Sequence, residues 1–392
     1  MLAPMRLQRL DVHGYRVLGN VALEPRGLNV LIGANGAGKS TVLDLFVLLT
    51  EAMRGGLAKA ISIRGGISRI LTLEHADHLA LRVMTSPVPW PGSSALSALE
   101  YLLEISPSGV GYSITKELLQ QDRGHVSGNP FFFLQRRLGH VKFHDPKTGG
   151  LADPDWPFLI EEAALGQVPR TYAEPEALRS LIATSLHAAP IALDERSPLR
   201  LPQTLQPPEG PPSASGSDLV SVLYQMRSAD DDLWQQLMDL LGAAFPRFRR
   251  LEFPLVAGGQ AALAWYERDV SSALYANELS TGTLRFLHLG ALLLSRRLPG
   301  LVLLDEPELS LHPEALRLLS ELLVQASAQA QIFVATRSAA LVRWMRPGDV
   351  LVAERDEGGG RLVRGDSMDL EHWLDTYTLD QLWQMGVMGG KP

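Results

Sequence analysis

The chain has 392 residues, 46% of them hydrophobic and 20% charged, the profile of a folded globular protein with a large core. A formal net charge of −7 argues against a surface that binds nucleic acid everywhere, while leaving room for a local basic groove. The absence of cysteine excludes disulfides, cysteine-ligated metals and thiol nucleophiles; no apolar run is long enough to cross a bilayer and charges interrupt the N-terminus, so a cytoplasmic protein is expected.

Arg6–Val12 alternates loosely in the manner of a strand, and the apolar run Leu28–Ile32 has the length of a buried one. Ser40–Arg54 has helix spacing, with Val42, Leu43, Leu45, Phe46, Leu49 and Met53 on its apolar face. Between them lies Gly33-Ala34-Asn35-Gly36-Ala37-Gly38-Lys39-Ser40, a complete GxxxxGK[ST] sequence. Between a strand and a helix, such glycines let backbone N–H groups wrap a β-phosphate at the helix N-terminus. Lys39 then bridges phosphates, and the Ser40 hydroxyl takes a place on Mg²⁺. The plainer alternative is a glycine turn that only joins strand to helix.

From about Arg64 to Tyr112 the pattern is short and β-rich, in RILTL, LALRVM and YLLEIS, with Pro/Gly/Ser punctuation at Ser86–Ser94. Gly128–Pro157 is aromatic and loop-rich, and Leu201–Asp218 has the composition of a linker or mobile loop. Leu219–Ala244 returns to helix spacing. No heptad run and no internal repeat occurs, so no long coiled-coil arm is expected.

After Ser280 the alternation becomes regular: helix Thr283–Arg297, strand Leu301–Leu304, helix Pro313–Ala330, strand Gln331–Thr336, a short helix near Ala339–Trp344, and strand Val350–Glu354. Pro313 suits the first turn of its helix. This βα order predicts a largely parallel sheet. The strand ending Leu304-Asp305-Glu306 would deliver two carboxylates to the sheet edge where ligands of open α/β sheets bind. Asp305 would hold Mg²⁺ directly or through water, and Glu306 would polarise an attacking water. Alternatively, two acids merely end a strand. Leu279-Ser280-Thr281-Gly282-Thr283 opens a helix, where free N–H groups favour an anion, although Ser and Thr are also ordinary helix caps.

Together GANGAGKS, LSTGT, LLDEPELSLHP and VATRS resemble the predicted ATPases of the SMC, RecF and OLD group within the ABC-ATPase class. The E-x-x-L-H-P continuation, here Glu308, Leu311, His312 and Pro313, is part of that resemblance, and the closing LDTYTLDQLWQMGVMGG is similar to the tail of small stand-alone members. The likeness covers both ends of the chain and scarcely touches Ser86–Asp218. It implies an α/β P-loop NTPase: an ABC-ATPase-like head with a mostly parallel central sheet, an N-terminal β-rich lobe and an inserted middle region. Residues 1–85 and 219–392 would form a composite head, and 86–218 an inserted lobe.

The resemblance also implies ATP and Mg²⁺, held between two copies of the chain. Gly33, Asn35, Gly36, Ala37, Gly38, Lys39, Ser40 and Thr41 would bind the nucleotide, with Ser40 and Asp305 on the metal. Ser280 and Gly282 would reach the γ-phosphate of ATP on the partner's glycine loop. Leu309–His312 falls in the D-loop region that crosses such an interface; for His312 a nucleotide contact and a plain helix-start position are both open. Arg16 either approaches the nucleotide or is a surface arginine. Glu306 and Arg337 would be catalytic. Arg337 stands where the family places a switch histidine, so it either senses the γ-phosphate or marks slow, partner-dependent turnover. No Mg²⁺-linked glutamine is assignable.

The function expected is an ATP-hydrolysing, dimerising switch that acts with DNA or a separate nuclease or effector in DNA repair or anti-phage defence. The alternatives are an ATP-gated binding module with little hydrolysis and, less well matched, a transporter ATPase subunit; the long segment between Gly33 and Gly282 counts against the last. A structural SMC role would need heptads. An OLD-type nuclease would need a Toprim domain; Val350–Arg355 could begin one, but the chain ends at Pro392, so a nuclease is expected on another chain.

Overall fold

The computed structural model describes residues 4–72, 76–89, 95–122, 130–137, 139–169, 173–189, 194–356 and 359–389. A six-stranded sheet carries the order Leu186–Ala188, Leu301–Asp305, Gln331–Ala335, Leu28–Ile32, Val350–Asp356, Gly359–Arg364. Its first four junctions are parallel and its last is an antiparallel hairpin. All residues of Leu28–Ile32 and Gln331–Ala335 are buried, as expected of central parallel strands covered on both faces.

The two-residue period of each strand decides which layer its side chains join. Val30, Ile32, Val302, Leu304, Ile332 and Val334 point to one core, shared with the helices Leu219–Ala229, Asp231–Ala244, Thr281–Leu293 and Pro313–Ala326. Leu31, Leu303, Phe333 and Leu351 point to the other, where the helix Lys39–Met53 lies. The Phe46 and Phe333 rings meet there at 4.6 Å between centroids.

Beyond that helix lies a larger sheet of eight strands, ordered Gly150–Ala152, His140–Asp145, Phe131–Arg137, Gly111–Gln121, Leu99–Ser108, Leu79–Thr85, Leu7–Tyr15, Leu18–Leu23. Every junction in it is antiparallel. The expectation of a mostly parallel architecture is therefore corrected: it fits the sheet that carries the glycine loop and not the larger one. Connection length accounts for most of these junctions, since short hairpins can join only antiparallel neighbours while parallel ones need a crossover, although Leu7–Tyr15 and Leu79–Thr85 pair antiparallel across a long connection. The eight-stranded sheet also runs unbroken across residue 85, and Leu186–Ala188 pairs with Leu301–Asp305.

Other expectations shift for local reasons. Of RILTL, Arg69 and Ile70 belong to the helical turn Ile67–Ile70 and Leu71 makes an isolated bridge to Tyr15, while Leu73 lies outside the described residues. Within Gly128–Pro157, read as loop-rich, stand the strands Phe131–Arg137, His140–Asp145 and Gly150–Ala152; residues 128, 129 and 138 lie outside the described residues. Leu201–Asp218 has little regular structure beyond Gln203–Thr204 but is tied down: the Gln203 amide donates to the Gly216 carbonyl (2.8 Å) and His288 Nε2 meets the Ser213 carbonyl (2.9 Å). Leu219–Ala244 breaks into two helices at Asp230, whose side chain caps the second by accepting from Leu233 N–H (3.1 Å). Among the described residues no helix exceeds the 15 residues of Lys39–Met53, and none is long and apolar enough to cross a membrane.

Candidate nucleotide site

The glycine loop leaves the central strand Leu28–Ile32 and enters the helix Lys39–Met53. Gly33, Gly36 and Gly38 have φ of 137°, 79° and 110°, a region that side chains with a Cβ rarely adopt. A Cβ on Gly33 would also collide with the Ala353 carbonyl oxygen on the neighbouring strand. Gly38 is the N-cap of the helix and provides no side-chain cap, so the first N–H groups have no protein side chain to satisfy them at the cap. Lys39 is buried and folded back over the loop, its Nζ donating to the carbonyls of Gly33 (2.7 Å) and Ala34 (3.1 Å). Asn35, Gly36 and Ser40 are exposed, Thr41 is half-buried and Ala37 is buried beneath them.

Asp305 ends its strand paired with Ala335, and the next residue, Glu306, turns out of the sheet with φ 45° while its N–H donates to the Ala335 carbonyl (2.8 Å). A non-glycine residue held in that region is a feature that clusters at functional sites. Glu306 Oε1 forms an ion pair with Arg337 Nε at 2.7 Å. Arg337 is itself placed by Glu308, whose Oε1 accepts from the Thr336 hydroxyl and from Arg337 N–H (3.3 Å). Glu308 Oε2 is buried with no hydrogen-bond partner.

Burial, reinforced by the charge of Glu306, raises the Asp305 carboxyl above its ordinary range against the pull of His187, Arg337 and Lys39. Burial and the Arg337 charge lower the Lys39 ammonium, against Glu306 and Asp305. Burial likewise raises Glu308, helped by Glu306. Asp305, Glu308 and Lys39 are thus each biased toward neutrality, and a polyanion beside Lys39 or a cation beside Asp305 would restore the charged forms of those two. The hard oxygen donors of Ser40 and Asp305, with half-buried Asp305 short of compensation, fit Mg²⁺ rather than a softer ion.

The second helix start is built differently. Ser280 is the exposed N-cap of Thr281–Leu293; its Oγ accepts from Thr283 N–H (3.1 Å) and meets Thr283 Oγ1 (2.8 Å). Gly282 packs against the Leu309–His312 turn, where a Cβ would strike the Ser310 carbonyl oxygen, and Ser310 itself has φ 66°. Arg285, one turn further along, donates from Nη1 to the Leu309 carbonyl (2.6 Å). The Ser280 turn and the Leu309–His312 turn are therefore a single packed unit. His312 is exposed at the N-cap of Pro313–Ala326 and makes no capping bond.

The fold thus brings Lys39, Asp305, Glu306 and Arg337 into electrostatic contact. Ser280, Gly282 and His312 belong instead to the packed unit just described. Arg16, at φ 51°, binds Asp44 of the glycine-loop helix with Nη1 at 3.0 Å; Tyr15 OH (2.6 Å) and Arg64 Nη2 (2.6 Å) bind the same carboxylate. Burial works to raise Asp44, but the Arg64 and Tyr15 hydrogen bonds and the arginine charges hold it below its ordinary range. Two residues escape a reading of sequence alone. Arg200 donates to the carbonyls of Ala276 (3.3 Å), Asn277 (3.2 Å) and Leu279 (2.9 Å), bracing the approach to Ser280 from a segment 80 positions away that carries no motif. His187, half-buried on the edge strand beside Leu301–Asp305, interacts with Asp305; burial lowers its imidazole, opposed by Asp305 and Asp44.

The sequence matches, over residues 28–343, the family described as "AAA domain, putative AbiEii toxin, Type IV TA system". The chain belongs to this family. Its fold places the AAA-domain protein beside SMC heads: an SMC head bound to the C-winged helix domain of ScpA superposes with a TM-score of 0.55 at 13% identity, covering 94% of this chain and 99% of that one. The Smc head with an extended coiled coil, bound to the C-terminal domain of ScpA and derived from Pyrococcus furiosus, gives 0.51 at 12% identity, covering 95% and 100%. At these identities the likeness is one of fold. No curated protein matches the chain in sequence. The AAA-domain protein is thus an ATPase-type P-loop protein with an SMC-head-like α/β fold.

Proposed function

We propose that the chain binds and hydrolyses ATP as a dimerising, ABC-type switch in the cytoplasm. The observation that carries this is the convergence of Lys39, Asp305, Glu306 and Arg337 at the end of the parallel strands, beside an uncapped helix N-terminus. The N–H groups of residues 33–41 take the phosphates, with Asn35 and Thr41 at the rim, and Lys39 moves its ammonium from the Gly33 and Ala34 carbonyls to the phosphate oxygens. Ser40 and Asp305 would hold Mg²⁺, which would offset phosphate charge. Glu306 accepts the proton of the water that attacks the γ-phosphorus, and ADP leaves as the bond to the β,γ-bridging oxygen breaks. Ser280 and Gly282, with His312 and Leu309 alongside, meet the ATP of a second copy. The setting proposed is DNA repair or anti-phage defence, with DNA or a separate nuclease as effector.

Replacing Glu306→Gln removes the proton acceptor and keeps the phosphate contacts. Turnover should fall by at least about a hundredfold, and light scattering with Mg-ATP should show a stable dimer. A variant that stays monomeric under saturating Mg-ATP rules out the shared site.

A second reading, an ATP-gated binding module with little hydrolysis, is favoured by one contact: Arg337 already occupies the Glu306 carboxylate. Arg337→Ala separates the two. If Arg337 stabilises charge on the transferred phosphoryl group, turnover drops by more than about tenfold; if it restrains Glu306, turnover rises.

A further inference from the structure

The eight-stranded sheet holds a second constellation, made of residues outside the phosphate motifs. His13 sits on the strand Leu7–Tyr15, opposite Asn20 on one side and Ala80 on the other. His78 immediately precedes the strand that contains Ala80, and the His13 and His78 rings approach to 4.8 Å between centroids. Gly14 makes that approach possible: it has φ 78°, and a Cβ there would collide with the His78 carbonyl oxygen. Asp77 completes the group, and one ligating atom from each of His13, Asp77 and His78 lies within 4.8 Å of the others. Among the described residues this is the one such cluster of His, Cys, Asp and Glu.

Hydrogen bonds set the chemistry of the two rings. His13 Nδ1 faces Asn20 Oδ1 at 2.8 Å, and His78 Nδ1 faces Asp77 Oδ1 at 2.6 Å. An Asn20 oxygen that accepts from His13 Nδ1 leaves His13 Nε2 to ligate, while at His78 an ion would take the place of the proton between Nδ1 and Asp77 Oδ1. An oxygen behind the non-ligating nitrogen is the arrangement that orients metal-bound imidazoles. The groups that face Asp77 are His78, at 2.6 Å, and His13. Two imidazoles and a carboxylate select zinc, nickel or copper over magnesium or calcium.

We propose that His13, His78 and Asp77 bind a first-row transition-metal ion of the zinc or nickel class, oriented by Asn20 and distinct from the Mg-ATP site. The ion would tie the end of the strand Leu7–Tyr15 to the segment before Leu79–Thr85. That strand continues into Tyr15 and Arg16, which grip Asp44 on the glycine-loop helix, so the brace would act close to the phosphate loop.

The test uses the untagged, nucleotide-free chain, titrated calorimetrically with Zn²⁺ and with Ni²⁺ and with Mg²⁺ as the control ion, and melted with and without each ion. One transition-metal ion per chain should bind, Mg²⁺ should not displace it, and the melting temperature should rise with Zn²⁺. His13→Ala and His78→Gln should each weaken binding by at least about tenfold, Asn20→Ala by less. His140→Ala, on a distant exposed histidine, should change nothing. The proposal fails if no saturable binding occurs, if Mg²⁺ competes equally, or if affinity survives both His13→Ala and His78→Gln.

Discussion

The helices Lys39–Met53 and Thr281–Leu293 both begin at turns suited to anions, yet they are finished in opposite ways. The first is capped by a left-handed glycine without a side-chain bond, and its lysine folds inward. The second is capped by Ser280, whose hydroxyl is already engaged with Thr283, and its glycine is spent on close packing against Ser310. A helix start that leaves its donors open can bind phosphate by itself. One that satisfies its own cap gains only from a ligand brought to it, which is how two halves of a shared site would divide the work.

The largest test of this contrast is Lys39→Ala. Losing a charged hydrogen bond to phosphate at about 1.5–3 kcal/mol should weaken nucleotide binding by roughly ten- to a hundredfold, read by titration with a fluorescent ATP analogue; a merely twofold loss would place the phosphate elsewhere. Gly282→Ala comes next. Its methyl group must displace the Ser310 backbone, so turnover should drop more than about tenfold while monomer nucleotide affinity stays within about twofold. Equal loss of both would make the turn part of the chain's own phosphate site. Smallest is Ser280→Ala, expected to cost about 1 kcal/mol of stability in urea unfolding as a lost cap. An unchanged midpoint would mean that the serine is kept for contacts beyond its own helix.

The elements of the proposed phosphate site were legible because each is local in sequence: a strand, a glycine loop and a helix are consecutive, and so are the residues of the strand ending at Asp305. Of the eight-stranded sheet, the strands at Arg6–Val12, LALRVM and YLLEIS were legible too, whereas its outer strands are short, aromatic and broken by turns at Gly139 and Gly149, so Phe131–Ala152 looks irregular when hydrophobic period is the guide. Leu201–Asp218 looked like a free linker because proline, glycine and serine dominate it; what fixes it are bonds from Gln203 and His288, one of them spanning 75 positions. Arg200 was invisible for the same reason, since nothing around it marks a residue that braces a turn far along the chain. The Arg337–Glu306 pair is a subtler case: both residues stood out singly, but their contact depends on how two neighbouring strands end.

The central place of Leu28–Ile32 has a consequence for how the chain comes to be made. It lies between Gln331–Ala335 and Val350–Asp356, and Leu28 aligns with Ile332. The strand that carries the glycine loop thus has no parallel neighbour until more than three-quarters of the polypeptide has emerged, and loop closure over that separation is slow to form. Fragments ending before Gln331 lack both flanking strands, so a product truncated there leaves the strand that carries the glycine loop without either of its parallel neighbours.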